Sequence, residues 1–265
     1  MKQNDMSLYD HIGELRKRII IVLVFFVFAM IGGFFLAGPM ITYLQSAPEA
    51  QNLPMNAFKL TDPLKVYMTF AFFSAILLVS PVILYQFWAF ISPGLHHTER
   101  RVTLSYIPLA FGLFLLGISF SYFIIFPFLI QFMGTLAEQL NITEQYGINE
   151  YFSFLFQLTI PFGFLFQLPV IIMFLTRLGI VTPELLSRIR KFAYFILLVI
   201  AGFITPPEIV SHLMVTVPLL LLYEVSIWVS KITYHKVLKA EAQRQKDLEE
   251  QERIEREQQN NADSK

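Results

Sequence analysis

Cysteine is absent from all 265 residues, which excludes a disulfide framework, thiol catalysis and cysteine-ligated zinc or iron–sulfur centres. Charge is scarce as well. Asp, Glu, Lys and Arg together make up 15% of the chain, where soluble domains usually carry about 25%. The 20 bases balance the 20 acids, so no global basic field directs the chain to nucleic acid. Most enzymatic signatures are missing: there is no Gly-x-Ser-x-Gly elbow, no His-Glu-x-x-His, no phosphate-cradling glycine loop and no pair of intramembrane aspartates. What is abundant is apolar. Hydrophobic residues reach 55%, mean hydropathy is +0.56, and Phe occurs 28 times. Too little polar surface remains to wrap a water-soluble globule. The composition reads as a polytopic membrane protein.

A helix needs roughly 20 apolar residues to cross about 30 Å of hydrocarbon. Charge-free runs fall at Ile19–Leu36, Val66–Phe90, Thr103–Phe132, Phe152–Thr176, Phe192–Ile204 and Ile209–Val229. Gly and Pro interrupt several of them, as membrane helices tolerate. The fifth run, of 13 residues, is short for a span. It is joined to the sixth by Thr205-Pro206-Pro207-Glu208, which predicts a tight, shallow hairpin. The expected class is therefore all-α, with six transmembrane helices. Eighteen of the 20 bases lie in the N-terminal tail, the 2–3 loop, the 4–5 loop and the tail after the sixth run; the other side holds only Lys59 and Lys65. Bases accumulate on the cytoplasmic side, so both termini are expected there. Arg16-Lys17-Arg18 before an apolar stretch also suits a signal-peptide n-region, but the 18-residue run and five further spans favour retention.

Three parts follow: an N-terminal segment over residues 1–18, a transmembrane region over 19–230 and a charged tail over 231–265. Leu8, Ile12, Leu15 and Ile19 paint one stripe, so the first segment reads as an amphipathic helix on the cytoplasmic surface. The outer loop over 38–65 carries four prolines and reads as a braced cap. The tail has eight bases, eight acids and almost no aromatic residue, the mark of a solvated, partly helical or disordered segment.

A few polar groups stand in awkward places. Glu14 sits in the basic N-terminal run and Glu99 beside Arg100-Arg101. Each either neutralises a neighbouring base or faces the cytoplasm to receive a cationic ligand. Gln167 lies in the fourth run, Pro169 frees a carbonyl near it, and Gly163, one turn earlier, leaves room for a close helix. Glu224 in the sixth run is expected to snorkel or to pair with a base of the cytoplasmic surface, although an acid within a span also carries a functional flag. Glu208 tips the 5–6 hairpin. His96-His97-Thr98-Glu99 could ligate a metal, but adjacent side chains on a helix diverge by about 100° and no further ligand is evident. A small-solute transporter is the main alternative function, yet no Arg or Lys occurs between Val102 and Thr176 to line a path. An intramembrane hydrolase lacks a nucleophile–base pair.

His11-Ile12-Gly13-Glu14-Leu15-Arg16-Lys17-Arg18 resembles the entry of the TatC family, the multispanning subunit of the twin-arginine protein translocase. So do Ser80-Pro81 through Phe90, Ser92-Pro93-Gly94-Leu95 with Glu99-Arg100-Arg101, Phe126-Pro127, Phe162-Gly163 with Leu168-Pro169, and Thr205-Pro206-Pro207. Asn56-Ala57-Phe58, Leu60-Thr61-Asp62-Pro63 and Gly147 to Tyr151 look especially like the TatCy form of bacilli. The resemblance covers residues 7–235. It implies a non-enzymatic receptor in the bacterial cytoplasmic membrane, without cofactor or metal. Such a receptor recognises twin-arginine signal peptides of folded cargo, gathers TatA-type single-span subunits (and TatB-type ones where present), self-associates, and exports the cargo on the proton-motive force. Carried over, the signal-binding residues are Glu14, Arg16, Phe90, Pro93 and Glu99, and the partner-subunit contacts are Gln167 and Glu208. Two positions depart from the family pattern. Gln167 stands where Glu is common, which removes a titratable group, and Glu208 stands where Asp is frequent.

Overall fold

The computed structural model describes residues 8–47, 50, 55–91, 104–205 and 209–263. Long helices dominate: α1 (Leu8–Gln45), α2 (Asp62–Ile91), α3 (Tyr106–Phe120), α4 (Phe126–Gln139), α5 (Ile148–Leu165), α6 (Leu168–Arg177), α7 (Pro183–Arg188), α8 (Arg190–Ile204) and α9 (Ile209–Asp263). Among the described residues, five helical stretches are long and apolar enough to span a bilayer. The fifth sequence run becomes α8, whose 15 residues rise only about 22 Å. It is the short member that the sequence anticipates.

The spans differ from the apolar runs at their ends and middles. No break separates the amphipathic N-terminal residues from the first span, because α1 runs unbroken for 38 residues. The third span contains a π turn at Ser121–Ile125, where the Phe126 N–H donates to the Ser121 carbonyl. Pro127 follows at the start of α4; it has no N–H and its ring crowds the preceding turn, and the widened turn accommodates both. The fourth span is broken at Phe166–Gln167, with Pro169 in the first turn of α6, where a missing N–H costs nothing. Gly179, at φ +70°, then closes α6 by letting the Ile180 N–H donate back to the Leu175 carbonyl at 3.1 Å.

The chain divides into two compact units. The first comprises residues up to Gln167 together with Leu197–Leu219. Its core is aromatic, which accounts for much of the phenylalanine: Phe70 meets Phe152 and Phe156 edge-on, each at 4.9 Å, and Phe126, Phe162 and Leu158 are fully buried. Such pairs add about 0.5–1.5 kcal/mol each beyond burial. Two glycines set the helix approach of α3 and α5. A side chain at Gly117 would meet the Phe162 carbonyl at 2.6 Å, and one at Gly163 would meet Phe114 at 2.8 Å. The outer loops are tied by a two-residue parallel pairing of β1 (Met55–Asn56) with β2 (Tyr146–Gly147). Burial first, and then the Glu144 carboxylate, raise the Tyr146 phenol above its usual range.

The second unit holds Leu168–Ile196 and Leu220–Lys265. Polar contacts organise it. The Thr176 and Ser230 hydroxyls share a buried hydrogen bond at 2.7 Å, and the Tyr223 hydroxyl donates to the Leu186 carbonyl at 3.0 Å. Thr182 caps α7 by accepting from the Leu185 N–H. In α9 the helix continues from the apolar span through the charged tail to Asp263.

Candidate signal-recognition site

Three of the sequence-derived signal-binding residues fall among the described residues: Glu14, Arg16 and Phe90. Pro93 and Glu99 lie outside them, as does Glu208 of the partner-subunit pair. The N-terminal turns of α1 carry Glu14, and the last turns of α2 carry Phe90.

Glu14 binds Arg18, one turn on. Both Nε and Nη2 of Arg18 donate to Glu14 Oε1, the Nε contact at 3.2 Å, and no described residue bonds Oε2. The remaining Arg18 nitrogen, Nη1, donates to Gln86 Oε1 of α2 at 3.1 Å. Ion and fork are about four-fifths shielded, with side-chain exposures of 22% for Glu14 and 20% for Arg18. An i,i+4 pair on an exposed helix contributes only a few tenths of a kcal/mol. Partial burial and the third contact raise that value.

Arg18 and Gln86 also help line an apolar groove of about 270 Å³ between α1 and α2. On α2 its residues are Ile83, Gln86, Phe87 and Phe90, a spacing of three, four and seven that places them on one helix face. On α1 the groove uses Leu15, Ile19 and Val22. A carboxylate thus stands beside a strip of aromatic and aliphatic surface, the arrangement a cationic group followed by an apolar segment would need.

Arg16 is exposed and, two residues from Glu14, points to the opposite side of α1. The structure therefore brings Glu14 and Phe90 to one place and leaves Arg16 outside it. Sequence reasoning treated Arg18 only as a neutralising neighbour and missed Gln86 and Phe87. Gln86 was detectable, being a lone amide in the long apolar run of α2.

Gln167 sits where the fourth span breaks, 8% exposed. Its Nε2 donates to the Ala110 carbonyl at 3.0 Å, while its Oε1 is buried without a partner among the described residues. The other awkward acid, Glu224, has a partner on each oxygen: Arg190 Nη2 approaches Oε2 at 3.0 Å, and the Tyr194 hydroxyl donates to Oε1 at 2.5 Å. Of the two readings the sequence allowed, snorkelling or a basic partner, the structure has the second. Among the described residues, no cluster of three or more His, Asp or Glu could hold a metal ion.

A family model described as Sec-independent protein translocase protein (TatC) matches residues 10–218. The chain belongs to the TatC family. It is 71% identical over 252 residues to the Sec-independent protein translocase protein TatC of Halalkalibacterium halodurans, covering 95% of this chain and 100% of that one. It is 64% identical over 242 residues to TatCy of Bacillus subtilis, covering 91% and 95%. A crystal structure of the twin arginine translocase receptor TatC superposes with a TM-score of 0.76 at 33% identity, over 84% of this chain and 99% of that one. As a TatC family member the chain is a multi-pass protein of the bacterial cytoplasmic membrane and a subunit of the twin-arginine translocase, not an enzyme. The transporter and hydrolase alternatives are set aside.

Proposed function

We propose that this subunit receives the signal peptide through the α1–α2 groove, with Glu14 as acceptor for one arginine of the pair and the groove as the seat for the apolar segment that follows. The observation that carries this reading is Arg18 itself: a guanidinium already lies on the Glu14 carboxylate beside Gln86. Arginine offers a planar fork that a carboxylate or amide oxygen accepts at two nitrogens, whereas lysine is a point charge. A site built for that fork prefers Arg-Arg over Lys-Lys. An incoming arginine would take Oε2 or displace Arg18. Glu99, one loop away in sequence, is the proposed acceptor for the second arginine, with Pro93 and Arg16 shaping the rim.

In this reading both termini and the 2–3 loop face the cytoplasm, which the distribution of bases supports. TatA-type single-span subunits are the proposed partners at Gln167 and Glu208, and the proton-motive force drives transport. The orphan oxygen of Gln167 supports a polar contact with an incoming helix, since a buried acceptor without a donor costs about 1–3 kcal/mol. Because an amide does not titrate, Gln167 takes no part in proton relay.

The test is site-specific photo-crosslinking from positions 15, 87 and 90 to an Arg-Arg signal peptide and to its Lys-Lys counterpart. Crosslinks confined to Arg-Arg, and lost in Glu14→Gln, are the expected result. Equal crosslinking in Glu14→Gln and wild type would remove the carboxylate from the mechanism.

A further inference from the structure

A second cavity, of about 520 Å³, lies between α7 and the part of α9 that follows its apolar stretch. Lys231, Tyr234 and His235 line one wall, their spacing of three and four placing them on one face of α9. Ser187 and Glu184 line the other, and Leu238 contributes apolar surface. The ammonium, phenol, imidazole and hydroxyl groups of this wall and its neighbour make no side-chain hydrogen bond among the described residues. Four donor-bearing side chains therefore line one open space, Lys231 and His235 among them exposed, and no described side chain accepts from any of the four.

Depth fixes what can reach it. The apolar stretch of α9 ends at Val229, and Lys231 is the first base after it. Trp228, one residue before that boundary, is 64% exposed, as expected of an indole at headgroup level. The surrounding segments, 183–188 and 231–239, carry four bases (Arg188, Lys231, Lys236 and Lys239) against the one acid, Glu184. Further along α9 the sign reverses: residues 247–263 hold seven acids and two bases. Positive charge is concentrated at the membrane exit and not along the whole tail. The class of anion abundant at that depth is the phosphodiester of a lipid headgroup, and basic pockets at such sites select anionic lipids.

We propose that this cavity is a binding site for the headgroup of an anionic phospholipid, with Lys231 supplying the charge and His235, Tyr234 and Ser187 the hydrogen bonds to phosphate. Glu184 at the rim disfavours a second negative charge and favours a headgroup carrying hydroxyl donors, such as that of phosphatidylglycerol. The assignment is independent of signal-peptide recognition.

The chain's two tryptophans allow a direct test. In a Trp88→Phe background Trp228 is the sole indole and stands one turn from the site. The full-length protein is reconstituted in vesicles containing brominated phosphatidylglycerol or brominated phosphatidylcholine, and quenching of Trp228 is titrated. Brominated phosphatidylglycerol should half-quench at a mole fraction about fivefold lower than brominated phosphatidylcholine, the effect of roughly one favourable surface charge. The double variant Lys231→Gln with His235→Gln should abolish that preference, and Lys246→Gln, which removes one charge outside the cavity, should retain it. Equal quenching by the two lipids, or equal loss in Lys246→Gln, would overturn the site. Relief of the quenching by millimolar inorganic phosphate would overturn the commitment to lipid.

Discussion

Two carboxylates of this chain each hold an arginine, and they hold it in opposite ways. Glu14 binds Arg18 within a single helix and uses one oxygen. Glu224 binds Arg190 of a different helix and uses both, with Tyr194 on the second. The first pair sits beside a groove and leaves Oε2 without a bond from any described residue. The second closes a network in which Tyr223 also fixes the Leu186 carbonyl. The first contact ties one turn of α1 to the next, whereas the second ties α8 to α9. An oxygen at Glu14 with no bond from any described residue suits exchange of one guanidinium for another, while partners on both oxygens of Glu224 suit fastening.

That contrast can be broken by substitution. Glu14→Gln should weaken binding of an Arg-Arg signal peptide ten- to hundredfold, corresponding to a charge-assisted hydrogen bond of about 1.5–3 kcal/mol, with thermal unfolding in detergent unmoved. A lowered unfolding temperature with intact binding would reverse the roles assigned to the two acids. Glu224→Ala should do the opposite, costing about 1 kcal/mol of stability because Arg190 and Tyr194 lose their acceptor while the pair is about two-fifths exposed, with signal affinity within twofold of wild type. Glu224→Gln keeps the tyrosine bond and should recover about half the loss.

Smaller effects sharpen the comparison. Gln167→Leu removes one interhelical hydrogen bond, worth about 0.6 kcal/mol and at most about 1.7. It should reduce co-purification of a TatA-type subunit while sparing signal crosslinks; equal co-purification would leave Gln167 with its Ala110 contact alone. Arg18→Gln frees Glu14 from its internal partner and should raise signal affinity by up to about fivefold, the value of a partly exposed pair. A loss of affinity would show instead that Arg18 holds the carboxylate in place.

Much of the fold was legible because membrane spanning is a one-dimensional constraint. Apolar runs of about 20 residues and a lopsided distribution of bases are visible without knowing any contact. Pro169 and Gly163 also marked their consequences, the broken fourth span and the close approach of Phe114. The β1–β2 pairing was not legible, since two residues in each of two distant loops carry no periodic signal. Nor did the π turn announce itself, although Pro127 stands two residues after it.

Of the candidate site, the resemblance to TatC supplied Glu14 and Phe90, and the structure added Arg18, Gln86 and Phe87. Sequence spacing reaches about one helical turn, far enough to pair Glu14 with Arg18 but not to cross to another helix. The approach of α1 to α2 at Gly33, where a side chain would strike the Ala71 carbonyl at 2.9 Å, depends on packing.

From its residues alone this chain was bound to be helical, to cross the bilayer repeatedly and to place its bases on one side, because hydrocarbon rejects unpaired backbone and bare charge wherever they occur. Which acid has partners on both oxygens, and which leaves one without a bond from any described residue, was decided only when helices distant in sequence met, since hydrogen-bond partners across helices are set by neighbours that no linear spacing specifies.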